Sequence, residues 1–366
     1  MMRLVNKRQL RSLPLFIGTC LLVSLPTLQA QNAASKNISL LPGPKPADAP
    51  LEWKQLVGIY DYSSENSPKQ MTIFLEKDQR LFMQPSGFAG QREEIHEADG
   101  KVLITAPDGR IYIYDEQHDK NGSVTGFSYL VEFFVRVDAG ADAAHFYHIT
   151  PTKSVEQLRA AALAAKPPVE VGPFRKPELV ELAILDPAIH LDIRYAQSNN
   201  FLSTPLYTQA RAFMQRPAAD ALLRVLHKLQ PLGYGLLIHD AYRPWYVTKL
   251  FWDATPPENH NFVADPQKGS RHNRGCAVDL TLYDLRTGKP IEMPGLYDEM
   301  SSRSFPNFQG GTSLQRWHRD LLRRAMESEG FTVNEDEWWH FDYKDWRQYP
   351  ILNVPFENLH ARFPRD

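Results

Sequence analysis

"SRHNRGCAVDLTL", residues 270–282, runs from a polar turn into an apolar strand and carries two side chains that a metal ion would use. His272 and Asp279 offer an imidazole and a carboxylate, and Gly275 between them allows a tight backbone turn. A borderline-soft ion such as zinc favours this mixture of donors. Two ligands make half a site. "EWWHF", residues 337–341, supplies His340 as a third, and a catalytic zinc typically takes three protein ligands plus water.

Glu337 then acquires a role, because a carboxylate beside an activated water can take its proton during attack on a carbonyl and later pass it to the leaving amine. Residues three apart on a regular strand point to opposite faces. Glu337 and His340 therefore face one ion only if a bulge, bend or strand end intervenes. Each residue also has a plainer reading: His340 beside Trp339 as a half-buried structural histidine, Asp279 as a cap, Arg243 before Pro244 as a surface ion-pair residue. The combination is what points to a metal.

Outward from these stretches, the second half of the chain separates helices from strands. "IHLDIRY" (189–195), "YGLLIHDAY" (234–242) and "EWWHFDY" (337–343) read as strands. "PAADALLRVLHKL" (217–229) has proline in its first turn and apolar residues at helical spacing. A second amphipathic helix begins at a Thr312 or Ser313 cap and stops at Gly330. This alternation predicts an α+β domain over residues 176–366.

Residues 51–150 have a different texture. "GIYDY", "MTIFLEK", "RLFMQ", "KVLITA", "RIYIYDE", "VTGFSYL" and "EFFVRV" predict seven strands, punctuated by "DG" at 108–109 and "NG" at 121–122. A small all-β barrel or sandwich follows, an accessory module without gathered catalytic residues. "HEADG" at His96 begins like a zinc-binding helix but lacks its second histidine. Residues 151–175 read as a linker with an Ala-rich helical stretch, and the Pro- and Ser-rich residues 31–50 as a flexible lead-in.

A chain of 366 residues suggests two domains, and 43% hydrophobic with 23% charged residues is globular composition. A net charge of −2 gives no electrostatic case for nucleic acid or an anionic membrane. Arg3, Lys7, Arg8 and Arg11 precede a proline-broken apolar run too short to span a bilayer, and "LQA" ends at Ala30. Residues 1–30 thus read as a secretory signal peptide, placing the protein in the periplasm or cell envelope with no stable membrane span after cleavage. "IGTC" around Cys20 lacks the small residue expected before a lipidated cysteine. Removing four positive and no negative side chains shifts the net charge from −2 to −6. Cys276 would then be the sole cysteine, so packing rather than a disulfide holds the fold.

Taken together, the two stretches resemble the paired signatures of the D-alanyl-D-alanine dipeptidases. These are zinc peptidases known from vancomycin resistance and peptidoglycan turnover, related to zinc D,D-carboxypeptidases. Ser270, His272, Gly275, Ala277 and Asp279 meet the first signature, and Glu337, Trp339 and His340 the second. The likeness runs from about Val180 to Phe356 and leaves the β module outside. It implies a domain with a central antiparallel sheet and helices, one Zn(2+) per chain held by His272, Asp279 and His340, and Glu337 as general base. Arg243, in "DAYRPW" (240–245), is the implied partner of the tetrahedral oxyanion. "RYAQSNNFLSTPLY" (194–207) resembles the segment near the substrate and places Tyr195, Asn200 and Tyr207 there, with a departure from the family pattern at Leu202 and Ser203. Asp298, in "MPGLYD" (293–298), stands where the substrate's ammonium is received, although Met293-Pro294 replaces the usual Met-Gly. Ser270 joins the substrate-binding set. The family carries small residues at the place of Cys276, which reads as a buried, inert thiol.

The implied reaction is hydrolysis of D-Ala-D-Ala or a related peptidoglycan-derived peptide. The alternatives are a D,D-carboxypeptidase acting on longer stem peptides and a non-catalytic zinc- or wall-binding protein.

Overall fold

The structure, a computed structural model, describes residues 40–62, 69–75, 80–85, 93–98, 101–105, 109–129, 132–137 and 148–360. The expected signal peptide, Cys20 and residues 31–39 of the lead-in lie outside the described residues.

Alternation of buried and open positions builds the first half. Leu81 and Met83 are buried while Phe82 and Gln84 are half-buried, and Phe134 is buried between exposed Phe133 and Val135. Such a period of two gives each strand one inward face. After the short helix α1 (Leu51–Leu56) come β1 (Gly58–Tyr62), β2 (Lys69–Leu75), β3 (Leu81–Pro85), β4 (Glu93–Ala98), β5 (Lys101–Thr105), β6 (Ile111–His118), β7 (Val124–Tyr129) and β8 (Glu132–Arg136). Neighbours pair antiparallel, and β1 pairs with β8 to close a barrel. Its interior is filled by side chains: Phe127 stacks on Phe134 at 4.9 Å and meets Tyr60 edge-on at 4.8 Å. The sequence showed seven strands because β4, "EEIHEA", is mostly charged, with Ile95 buried between half-buried Glu94 and His96. His96 thus belongs to a strand, not to a zinc-binding helix.

The second half holds a larger, separate core. Its sheet has the order β10 (Ile189–Leu191), β12 (Tyr234–Asp240), β13 (Ala277–Asp284), β15 (Glu337–Tyr343), β14 (Phe331–Asn334). It is antiparallel except at β10, which runs parallel to β12, so the expected antiparallel sheet carries one parallel edge. A two-stranded sheet pairs β9 (Leu179–Glu181) with β11 (Phe213–Gln215). Helix α3 (Arg216–Leu229) buries Leu222, Val225, Leu226 and Leu229 along one stripe, each worth about 1.5–3 kcal/mol. Helix α4 (Trp245–Ala254) follows the "DAYRPW" turn, and α5 (Ser313–Glu327) starts in a Thr312–Gln315 capping box.

Segments expected to lie outside this domain pack onto it. Helix α2 (Val155–Ala164), within the expected linker, contributes Leu158 and Ala162 to the main core. The Ile149 amide donates to Phe201 O at 2.7 Å. In the lead-in, Lys45 Nζ donates to the Tyr234 hydroxyl at 2.6 Å and Trp317 Nε1 donates to Gly43 O at 3.0 Å. Among the described residues no helix is long and apolar enough to cross a membrane.

Candidate active site

The site is assembled by a turn and two strands. His272 opens a 3-10 turn that ends at Gly275 with φ 68. A Cβ on Gly275 would approach Leu179 Cδ2 to 2.5 Å, so both backbone and space demand glycine there. The turn feeds β13, where Asp279 stands directly across from His340 of β15. Directly opposed residues share one face of an antiparallel pair. The β14–β15 register shifts, with Val333 opposite Phe341 but Asn334 opposite Glu337. That irregularity satisfies the strand-geometry condition: Glu337 Oε2 comes within 3.5 Å of His340 Nδ1.

The three ligand atoms form a near-regular triangle. His272 Nε2 lies 3.0 Å from His340 Nδ1 and 3.2 Å from Asp279 Oδ1, and the third edge is 3.0 Å. Tetrahedral N and O donors at zinc distances stand roughly 3.3 Å apart. The outward nitrogens are fixed from behind, since His272 Nδ1 donates to Ala241 O at 2.6 Å and His340 Nε2 to Asp342 Oδ1 at 3.0 Å. Such bonds select the tautomer and aim the ligand lone pair inward. Asp279 Oδ1 is buried without a hydrogen-bond partner. An orphaned buried oxygen is costly, and a cation at the triangle's centre would satisfy it. The donor set fits zinc. Burial alone pushes the Asp279 carboxyl up, but His272 and His340 outweigh it and hold the group below the usual range.

Around the triangle lies a cavity of ≈ 230 Å³, lined among others by Tyr195, Phe201, Arg243, Phe251, Ser270, Asp298, Met300 and Glu337. That volume suits a small ligand rather than a drug-sized one. Arg243 is 7% exposed; its Nε and Nη2 hold Asp240 Oδ2 at 2.9 and 2.7 Å, and its guanidinium lies 4.7 Å from the Phe251 ring centre. Asp298 takes φ 64 and accepts from the Tyr195 hydroxyl at 3.0 and 3.1 Å. Burial, then the charges of Glu337 and Asp279, pushes its carboxyl up to about 8. Burial also raises Glu337, with Asp279 adding to it and His340 opposing.

His272, Asp279, His340, Glu337, Arg243, Ser270, Asp298 and Tyr195 thus meet in one cavity. Tyr207 stands behind it, donating to Asp240 Oδ1 at 2.7 Å. Asn200 staples its own loop, donating to Gln197 O and Thr204 O and accepting from the Leu202 amide. Burial raises the Cys276 thiol well above its usual range, consistent with an inert core position. Sequence reasoning missed Asp240, Asp342 and Asn334, whose Nδ2 donates to Glu337 Oε2 at 3.2 Å. Asp240 begins the quoted "DAYRPW" and Asp342 follows His340 by two residues, so each stood beside a recognised residue.

Comparison with known proteins gives a consistent result. The sequence model of a family described as D-Ala-D-Ala dipeptidase matches residues 175–361. The chain is similar to a D-alanyl-D-alanine dipeptidase of Escherichia coli K12, 35% identical over 179 residues, covering 49% of this chain and 91% of the relative. It is also 34% identical over 203 residues to one from Enterococcus faecalis V583, covering 49% of this chain and 95% of that protein.

Proposed function

The chain belongs to the D-Ala-D-Ala dipeptidase family of peptidases, and from that premise we propose that it hydrolyses free D-Ala-D-Ala with one zinc ion held by His272, Asp279 and His340. The observation that carries the reading is the meeting of those three ligands with Glu337 and Asp298 in one ≈ 230 Å³ cavity. Zinc bound by such a set supplies Lewis acidity that brings the ionisation of water to near-neutral pH.

The chain's own groups do the rest. Glu337 takes a proton from the attacking water as its oxygen bonds to the peptide carbonyl carbon. It then hands the proton to the departing nitrogen as the C–N bond breaks, giving two molecules of D-alanine. Asn334 orients the Glu337 carboxylate from behind. Arg243 stabilises the developing oxyanion, and a preorganised donor of this kind contributes several kcal/mol. Asp240, braced by Tyr207, fixes the guanidinium plane. Asp298, held by Tyr195, receives the substrate ammonium, while Ser270 lines the pocket and accepts from the His272 amide at 3.2 Å. A closed pocket that needs a free ammonium rejects longer peptides. The basic start and apolar run of residues 1–30 support export to the envelope and a role in wall-peptide turnover.

The test is D-alanine release from D-Ala-D-Ala by the purified protein, with and without zinc, beside Glu337→Ala and an N-acetylated substrate. Zinc-dependent release that is lost both in the variant and with the blocked substrate is expected. Cleavage of the blocked substrate would mark a carboxypeptidase instead, and stoichiometric zinc without any cleavage a binding protein.

A further inference from the structure

Tyr297 has no part in the chemistry above, yet its hydroxyl donates to Asp279 Oδ2 at 3.1 Å. The other oxygen, Oδ1, is the one that faces His272 Nε2 and His340 Nδ1. The tyrosine is 6% exposed, its ring stacked on His239 at 4.5 Å and edge-on to Trp339 at 5.5 Å. A ring held on two sides gives its hydroxyl little room to leave. His239 is placed in turn by Asp192, whose carbonyl and carboxylate lie 3.3 and 3.5 Å from Nδ1. The competing neighbour of Oδ2 is Arg243 Nη2 at 3.9 Å, itself engaged with Asp240. Without the tyrosine hydroxyl, the Asp279 carboxylate is free to rotate toward that cation, which would turn Oδ1 off the triangle.

We propose that Tyr297 is a positioning residue that locks the Asp279 carboxylate, so that Oδ1 faces the metal and Oδ2 stays clear of Arg243. The proposal rests on the zinc-site reading above. Hydrogen-bonding partners behind metal ligands typically govern metal affinity by about 10–100-fold.

Tyr297→Phe removes the hydroxyl and keeps both ring contacts. In the full chain, competition with a chromophoric chelator should show zinc bound at least about tenfold more weakly than by the wild type. The zinc-free variant keeps its packed ring and loses one hydrogen bond to a buried carboxylate, so its melting temperature should fall by no more than about 2–4 °C. Equal zinc affinity in the two proteins overturns the proposal, as does a weakened affinity in a zinc-free protein whose melting temperature has fallen by far more than the loss of one hydrogen bond accounts for. A wild-type chain that binds no zinc overturns the metal-site reading instead.

Discussion

Asp298 combines three unfavourable choices for a carboxylate: a left-handed φ of 64, partial burial, and the nearby charges of Glu337 and Asp279. Strain of this kind is retained where a ligand relieves it. An unfolded aspartate titrates near 3.9, whereas the folded group is pushed up to about 8. Stability gained from the protonated form is therefore fully present below about pH 4 and lost as pH rises through about 8. The full difference corresponds to at most about 6 kcal/mol, and solvent screening of a partly exposed group lowers that ceiling. Asparagine tolerates the left-handed backbone and cannot ionise. Zinc-free Asp298→Asn should therefore melt above the wild type at pH 8 and with it at pH 4. With zinc, its KM for D-Ala-D-Ala should rise about tenfold or more, through loss of the ammonium's partner. Equal melting at pH 8 would show that the carboxylate is stably accommodated before any substrate arrives.

At the scale of elements, the turn from His272 into β13 should be the most sensitive piece of backbone near the site. Gly275→Ala combines a positive φ with a Cβ 2.5 Å from Leu179, and should cost about 2–3 kcal/mol. It should also weaken zinc binding, because His272 moves with the turn. Gly288 has φ 70 but open space around it, so Gly288→Ala should cost only the backbone strain, about 1 kcal/mol, and leave zinc binding alone. Thermal melts and zinc titration of the pair separate packing from strain; equal losses would mean that Leu179 yields freely. This turn was legible in the sequence because ligand, glycine and apolar strand are contiguous. Contacts joining distant residues were not, as with Tyr207 and Asp240 or Tyr297 and Asp279. The helical stretch that became α2 was legible, but its docking was not, because its Ala-rich sequence carries little apolar stripe although Leu158 and Ala162 reach the core. The β14–β15 irregularity was required by the spacing of Glu337 and His340, but register depends on pairing that one strand's sequence does not encode.

The whole molecule rests on two hydrophobic cores, one inside the barrel and one behind the site. Between them lies a cleft of ≈ 640 Å³ lined by charged and apolar side chains alike, Lys54, Arg136 and Arg303 beside Val57, Met293 and Phe308. A junction left open by a cleft of this size transmits less packing energy than a filled one, so each core should respond chiefly to its own mutations. Phe127→Ala removes a ring that stacks on Phe134 and meets Tyr60, and should destabilise the barrel by about 3–5 kcal/mol. Calorimetry should then show the barrel melting earlier, while the transition of the core behind the candidate site stays in place and still rises with zinc. At a zinc concentration of 100 Kd that rise corresponds to about 2.7 kcal/mol. Turnover of D-Ala-D-Ala should be unchanged below the barrel's transition. The opposite outcome has a definite structural route. Residues 293–303 line the cleft at one end and present Asp298 and Met300 to the catalytic cavity at the other. If Phe127→Ala raised KM while zinc affinity held, the barrel would be seating that segment, and the accessory half would be part of the substrate pocket's support.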